Sequence, residues 1–240
     1  MDNMLNKWRA LSGRLAAEFA IVALGVTIAL WADGWVANRS DRAEEIARLH
    51  ALQDNVTETL GELNIADDNA SGAARALREL ASPKHSDHNN EDVEDLLRYG
   101  LLYGANFYPE LNVYHDLKAS GELALLTNRD LRQSLATMDT RLELVRLAQA
   151  DLVAVQQLNV DSYMIKRLDL RLFYGPLLEL YNISEDSEMD LEFSSDMEFR
   201  NVILLKLDLV TQLQIGFRDA EDALVSVQRA IATQLETQSN

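Results

Sequence analysis

Cysteine is absent from this 240-residue chain, and proline and glycine are scarce, with 3 and 10 residues. The lack of cysteine excludes disulfides, thiol nucleophiles and thiolate metal sites. So little proline and glycine excludes a collagen-like repeat. The chain is 48% hydrophobic and 25% charged, and these proportions are typical of a folded protein and exclude wholesale disorder.

Basic residues are also few, because 22 Lys and Arg stand against 39 Asp and Glu, which gives a net charge of −17. Such a surface repels a phosphate backbone, so no nucleic acid partner is expected. The sequence contains no GxxxxGK[ST], GxGxxG, HExxH or GxSxG motif and no Glu-x-x-His pair. We therefore predict a protein that is not an enzyme and has no catalytic residues, cofactor or metal ligands.

The histidines provide one alternative to this prediction. His85 and His88 lie in a polar loop and could hold a metal weakly, but two histidines without a third ligand are more often solvent-exposed. Tyr114, His115 and Asp116 are consecutive, but neighbours in sequence point around a helix rather than together. A membrane-tethered nuclease or metalloenzyme that uses His85 or His115 is therefore the least favoured alternative.

The longest hydrophobic run is Leu15–Ala32, in which Glu18 is the only charged residue. As a helix it is about 27 Å long, which is close to the thickness of a bilayer core. Trp8 precedes the run, and Trp31 and Trp35 close it, as interfacial aromatic belts do. These flanks favour a transmembrane segment over a buried core helix, so we expect the lipid bilayer to be a partner.

The transmembrane anchor is predicted at residues 15–37, after a short tail at 1–14. Cleavage as a signal peptide is not expected, because Leu30 or Trp35 stands where a small residue should precede the cut. The positive-inside rule does not decide the orientation, because equal numbers of bases flank the run. They are Lys7, Arg9 and Arg14 before it, and Arg39, Arg42 and Arg48 after it. Moving the short basic tail outward is costly, so we expect the amino terminus inside.

One face of the predicted anchor is small and charged. At 100° per residue, Arg14, Glu18, Gly25, Ala29 and Ala32 project to the same side. Gly25 and Ala29 form a small-xxx-small pair, which allows two helices to approach closely in lipid. We predict that this face mediates self-association into a homo-oligomer.

Glu18 has two interpretations. It can pair with Arg14 one turn earlier, with both heads reaching the membrane surface, and this interpretation requires no function. Alternatively, a ring of Glu18 carboxylates in a parallel oligomer would favour cations in a narrow pore. An oligomeric cation-conducting channel gated by the soluble helices therefore remains an alternative function.

The remainder of the chain, 38–240, shows apolar residues at spacings of three and four, the period of an amphipathic helix. Ser82-Pro83 and Gly175-Pro176 interrupt this pattern, and Thr127 and Ser195 are predicted to cap new helices. We predict an all-α fold in which the amino-terminal transmembrane helix is continuous with an antiparallel helical bundle. The predicted bundle helices are 38–81, 91–103, 109–120, 128–173 and 196–236.

Two stretches of the chain carry a resemblance to a known family. The first reads EFAIVALGVTIALWADGWVANRSDRAEE, and the second reads NFYPELNVYHDLKASGELALLTNRDLRQSL. They resemble a widespread family of bacterial membrane proteins of unknown function, with one amino-terminal span followed by a helical domain. The matching positions of the second stretch are Tyr114, Leu117, Lys118, Ser120, Gly121 and Leu123. The resemblance implies a bacterial inner-membrane location and brings no catalytic residue with it.

The favoured function is that of a single-pass, self-associating membrane protein, acting as a non-enzymatic interaction or sensing module. Its amino terminus is expected in the cytoplasm and its helical domain in the periplasm. The sequence does not identify a ligand, a signal or a protein partner.

Overall fold

The computed structural model describes residues 2–82, 90–126, 128–174, 180–181 and 196–239, and all regular secondary structure in these residues is helical. The all-α prediction is therefore confirmed for this part of the chain. The α-helices in chain order are α1 (Asp2–Ala81), α2 (Asn90–Leu101), α3 (Asn112–Ala119), α4 (Arg129–Val155), α5 (Asp161–Arg167) and α6 (Met197–Ser239). Within the described ranges, two 3₁₀ segments, Glu122–Leu125 and Leu170–Phe173, and one π-helical segment, Gln156–Val160, lie between these helices.

The chain divides into two compact units, Met1–Ala51 and Leu52–Asn240. The first unit consists of the amino-terminal part of α1. The second contains the rest of α1 and all the other helices, and it forms a helical bundle. The division at residue 51 lies beyond residue 37, where the sequence places the end of the anchor.

The core of the second unit is made by the apolar stripes that the sequence predicts. Each stripe has a spacing of three or four residues, so it occupies one face of its helix. The stripe of α4 includes the buried residues Leu131, Leu135, Met138, Leu142, Val145 and Leu152. The stripe of α6 includes the buried residues Val210, Leu213, Phe217, Leu224, Val227 and Ile231.

Helices α4 and α6 pack against each other closely. A Cβ atom added at Gly216 of α6 would lie 3.4 Å from a methyl carbon of Val145, so the lack of a side chain brings the two backbones together. Arg141 of α4 pairs with Asp219 of α6 at 3.0 Å on the surface of this interface. Val145 follows Arg141 in α4, whereas its neighbour Gly216 precedes Asp219 in α6.

Hydrogen bonds join α6 to α1 within the second unit. Gln228 donates to the Thr57 hydroxyl at 2.9 Å, and Gln214 donates to the Ser71 hydroxyl at 2.7 Å. Helix α2 packs on the same part of α1, because a Cβ atom added at Gly100 would lie 3.2 Å from Leu77. The helices of this unit thus contact one another through side chains widely separated in sequence.

The start of α3 differs from the sequence prediction. The predicted helix 109–120 begins at Pro109, but α3 begins at Asn112, after Leu111 with a non-helical ψ of 49°. The Val113 N–H is satisfied by the side chain of Asn55 in α1, at 3.0 Å. A distant residue thus supplies the hydrogen-bond acceptor that the first turn needs. The turn after α3 has Gly121 at φ 78°, as a left-handed turn requires.

The predicted helix 128–173 is interrupted in the structure. Helix α4 passes into the π-helical segment at Gln156, and α5 ends before Leu168, whose backbone is extended. The Asp169 side chain then accepts the Arg171 N–H at 3.0 Å and opens the 3₁₀ segment. A short polar side chain that competes for backbone hydrogen bonds explains why the helical spacing does not continue as one helix.

The caps of the long helices also shift by one residue. The predicted caps Thr127 and Ser195 lie outside the described residues. Asn128 caps α4 by accepting the N–H groups of Asp130 and Leu131, and Asp196 accepts the Glu198 N–H at 2.9 Å.

Gly100 tests the packing of α2 on α1. Gly100→Val should lower the free energy of unfolding by about 1 to 3 kcal/mol, because the new carbons overlap Leu77 and Leu80. Gly61→Val is the matched control, because nothing lies within 4 Å of the Cβ position there and valine has the higher helix propensity. Urea denaturation measures the free energy of unfolding of both variants. Equal stability for the two would contradict the close contact at Gly100.

Candidate functional site

The predicted membrane-interface and oligomer-face residues all belong to α1, but most of their side chains are not described. The residues concerned are Trp8, Arg14, Glu18, Gly25, Ala29, Ala32 and Trp35, and their side chains lie outside the described part of the structure. Trp31 is the exception, and 73% of it is exposed. The predicted pairing of Arg14 with Glu18 and the predicted oligomer face therefore stay predictions.

Residues 2–41 have described side chains only at Leu24, Val26, Thr27 and Trp31. Across all residues with described side chains, no helix is both long enough and apolar enough to cross a membrane. Within α1, Leu24 is 61% exposed and Val26 is 54% exposed. Large apolar side chains thus face outward in the region of the predicted span.

The second unit has a different site, at the irregular segment between α2 and α3. Residues 103–111 have no regular secondary structure, so most of their backbone polar groups lack the pairing that a helix provides, although the Leu111 carbonyl accepts the His115 N–H of α3. One polar side chain from each of the long helices α1, α4 and α6 forms a hydrogen bond with this segment or with the helix ends that flank it. Asn55 of α1 binds the Val113 N–H, Gln149 of α4 binds Phe107, and Lys206 of α6 binds the Leu101 carbonyl.

Gln149 binds both backbone groups of Phe107. Its Oε1 accepts the Phe107 N–H at 3.0 Å, and its Nε2 donates to the Phe107 carbonyl, also at 3.0 Å. The Phe107 ring packs edge-on against Phe217 of α6, with 5.8 Å between the ring centroids. Both Gln149 and Phe107 are buried. One amide therefore fixes the segment while the ring anchors it in the core.

A cleft of about 490 Å³ lies beside this fixed segment. Its floor is apolar and buried, and its rim carries charged and polar side chains. The floor is formed by Phe107, Leu111, Leu142 and Val145, and the rim by Tyr108, His115, Lys118, Asp139, Glu143 and Arg146. This volume is within the range of small-molecule sites.

The charged groups of the rim are paired with one another. Lys118 contacts Asp139 at 2.7 Å and lies 5.6 Å from the centre of the Tyr114 ring. The hydrogen bond to Asp139 raises the pKa of Lys118, so this lysine stays charged at neutral pH. Glu143 pairs with Arg146 at 2.7 Å, and this hydrogen bond lowers the pKa of Glu143.

The histidine candidates do not form a site in the described residues. Tyr114 is buried, whereas His115 and Asp116 are exposed, and the Tyr114 and His115 rings are tilted with centroids 5.5 Å apart. His85 and His88 lie outside the described residues. Among the residues that are described, no group of three or more metal-ligating side chains comes together.

Lys206 is a buried polar residue that the sequence analysis missed. It is fully buried, and its Nζ donates to the Leu101 carbonyl and to Oε1 of Gln156. Nε2 of Gln156 in turn donates to Asp161 at 2.6 Å. Burial lowers the pKa of Lys206 to about 7, and the charge of Asp161 opposes this effect. The signal was present in the sequence, because Lys206 occupies the apolar stripe between Ile203 and Val210.

Comparisons with known proteins give no identification, since the chain matches no family model, no curated protein and no solved structure.

Gln149 tests how the irregular segment is held. Gln149→Met should lower the free energy of unfolding by about 2 to 4 kcal/mol, because it leaves two buried backbone groups of Phe107 unpaired. Gln133→Met on the same helix is the control, because Gln133 is exposed and surface changes rarely exceed about 0.5 kcal/mol. Thermal or urea denaturation compares the stability of the two variants with that of the wild type. If Gln149→Met is no more destabilising than its control, the amide does not hold the segment.

Proposed function

We propose that this chain is a single-pass membrane protein that self-associates through its amino-terminal helix and acts as a non-enzymatic interaction or sensing module. The observation that carries the proposal is the outward exposure of Leu24, Val26 and Trp31 within the hydrophobic run Leu15–Ala32. In water, exposing such side chains is costly, whereas lipid accommodates them. The lipid bilayer is thus the partner that this surface fits best.

The resemblance of two stretches to a bacterial membrane protein family supports the same proposal. On this proposal, the protein resides in the bacterial inner membrane, with its amino terminus in the cytoplasm and its helical domain in the periplasm. The helical domain is an antiparallel bundle. This arrangement is supported by the contacts between α1 and α6, because Thr57 pairs with Gln228 and Ser71 pairs with Gln214, in opposite order along the two helices.

The shape and lining of the cleft beside Phe107 are consistent with the interaction role in this proposal. Its floor is apolar, and the charges of Lys118, Asp139, Glu143 and Arg146 are neutralised in pairs at its rim. This combination can bind a molecule with an apolar part. A cation channel, the alternative function, would depend on the side chain of Glu18, which lies outside the described residues.

The membrane anchor can be tested by extraction with alkaline carbonate. The wild-type protein should stay in the membrane pellet. Leu24→Arg combined with Val26→Arg should move it to the soluble fraction, because each arginine near the centre of a span costs about 2.5 to 3.5 kcal/mol. Ile65→Arg is the control, because Ile65 is exposed on the same helix but lies outside the predicted span. Release of the intact wild-type protein by carbonate would overturn the proposal.

Self-association can be tested by light scattering of the full-length protein in detergent. Gly25→Leu should reduce the oligomer mass, because its larger side chain separates helices that pack through small residues. Val26→Leu is the control, since it adds a methylene at a neighbouring position that points about 100° away. An unchanged mass for Gly25→Leu would exclude this face as the contact.

A further inference from the structure

The position of Lys206 is unusual for a lysine. It lies in the buried stripe of α6, and the neighbouring stripe residues Ile203 and Val210 are also fully buried. A charged side chain at such a position loses its hydration, and only paired or hydrogen-bonded charges are normally tolerated there. The contacts of Lys206 therefore determine which of its protonation states fits the folded chain.

The hydrogen bonds of Lys206 fit the neutral amine. A neutral amine has two N–H donors, and Nζ meets two acceptors in the described structure, the Leu101 carbonyl and Oε1 of Gln156. A protonated lysine has three N–H donors, so its third would have no acceptor among these residues. An unmatched buried donor on a charged group is costly.

The charged surroundings of Lys206 are sparse. The end of α2 provides the Leu101 carbonyl, the π-helical segment provides Gln156, and α5 provides Asp161, whose charge acts on Lys206. Nε2 of Gln156 donates a hydrogen bond to Oδ1 of Asp161 at 2.6 Å. The Gln156 amide therefore lies between the carboxylate and the amine in the hydrogen-bond chain. Of the charged groups in the described part of the chain, Asp161 acts on Lys206 by favouring its protonated form.

We propose that Lys206, Gln156, Asp161 and the Leu101 carbonyl form a pH-sensitive latch, which joins α2, the π-helical segment and α6 when the amine is neutral and loosens on acidification. Helical turns of the π type are rare and often mark functional positions. Here the segment Gln156–Val160 supplies the acceptor on which the latch depends. The latch belongs to the second unit, so it holds whether or not the chain spans a membrane.

The direction of the pH effect follows from the two states of Lys206. Its pKa is about 7 in the closed structure and returns towards 10.5 when the latch opens. The open state therefore binds the proton more tightly, and the closed state loses stability as the pH falls from about 10.5 to about 7. Between pH 8 and pH 6 the opening equilibrium should rise about tenfold. Below this range both states are protonated, and the effect levels off.

Hydrogen exchange of the full-length protein in detergent tests the latch. After correction for intrinsic exchange rates, amides of Gln156–Val160 and of the first turns of α6 should exchange about tenfold faster at pH 6 than at pH 8. Lys206→Met should remove this difference. Lys118→Met, which removes an exposed lysine, should keep it. The same pH dependence in wild type and Lys206→Met would overturn the proposal.

A second variant covers the case in which Lys206→Met does not fold. Asp161→Asn removes the negative charge that favours the protonated lysine, so the midpoint of Lys206 titration should move to lower pH. The side-chain ¹³Cε chemical shift of Lys206 measures this midpoint directly. A midpoint that is unchanged, or that moves to higher pH, would also overturn the proposal.

Discussion

The satisfaction of backbone polar groups in the segment between α2 and α3 is the constraint on which the second unit depends. A helix pairs its own N–H and C=O groups, but residues 103–111 form no helix. Gln149 of α4 pairs the backbone of Phe107 within the segment. Lys206 of α6 and Asn55 of α1 pair Leu101 and Val113, which lie in the helix ends on either side of it. The same contacts therefore stabilise the segment and tie the three long helices to a common point.

This arrangement also explains where the cleft lies. Gln149 and the Phe107 ring hold the segment against α4 and α6, and Leu111 and Leu142 complete an apolar floor beneath it. The paired charges sit above this floor, where water can screen them. The cleft is thus a product of the way an irregular segment is fixed, since no motif in the sequence specifies it.

The sequence predicts the regular parts of this fold well and the irregular parts poorly. Spacings of three and four identify the buried faces of α4 and α6, because burial of one helix face is a local and periodic property. The late start of α3 depends on Asn55, which is 58 residues away from Val113 and could not be inferred locally. The break after α5 depends on Asp169, and the cleft on Gln149, for which a single sequence gives no pairing information. Lys206 is the exception, since a lysine within an apolar stripe is visible in the sequence and marks a buried polar site.

The three bonds at Leu101, Phe107 and Val113 have a consequence for how this chain can change over evolutionary time. The three residues are spaced six apart in the sequence, and each is hydrogen-bonded to a different long helix, α6, α4 or α1. A residue inserted or deleted between them would move at least one backbone group away from its side-chain partner. A shift of one helix could not restore all three hydrogen bonds. Insertions and deletions in related chains should therefore accumulate in other connections, while this stretch keeps a constant length.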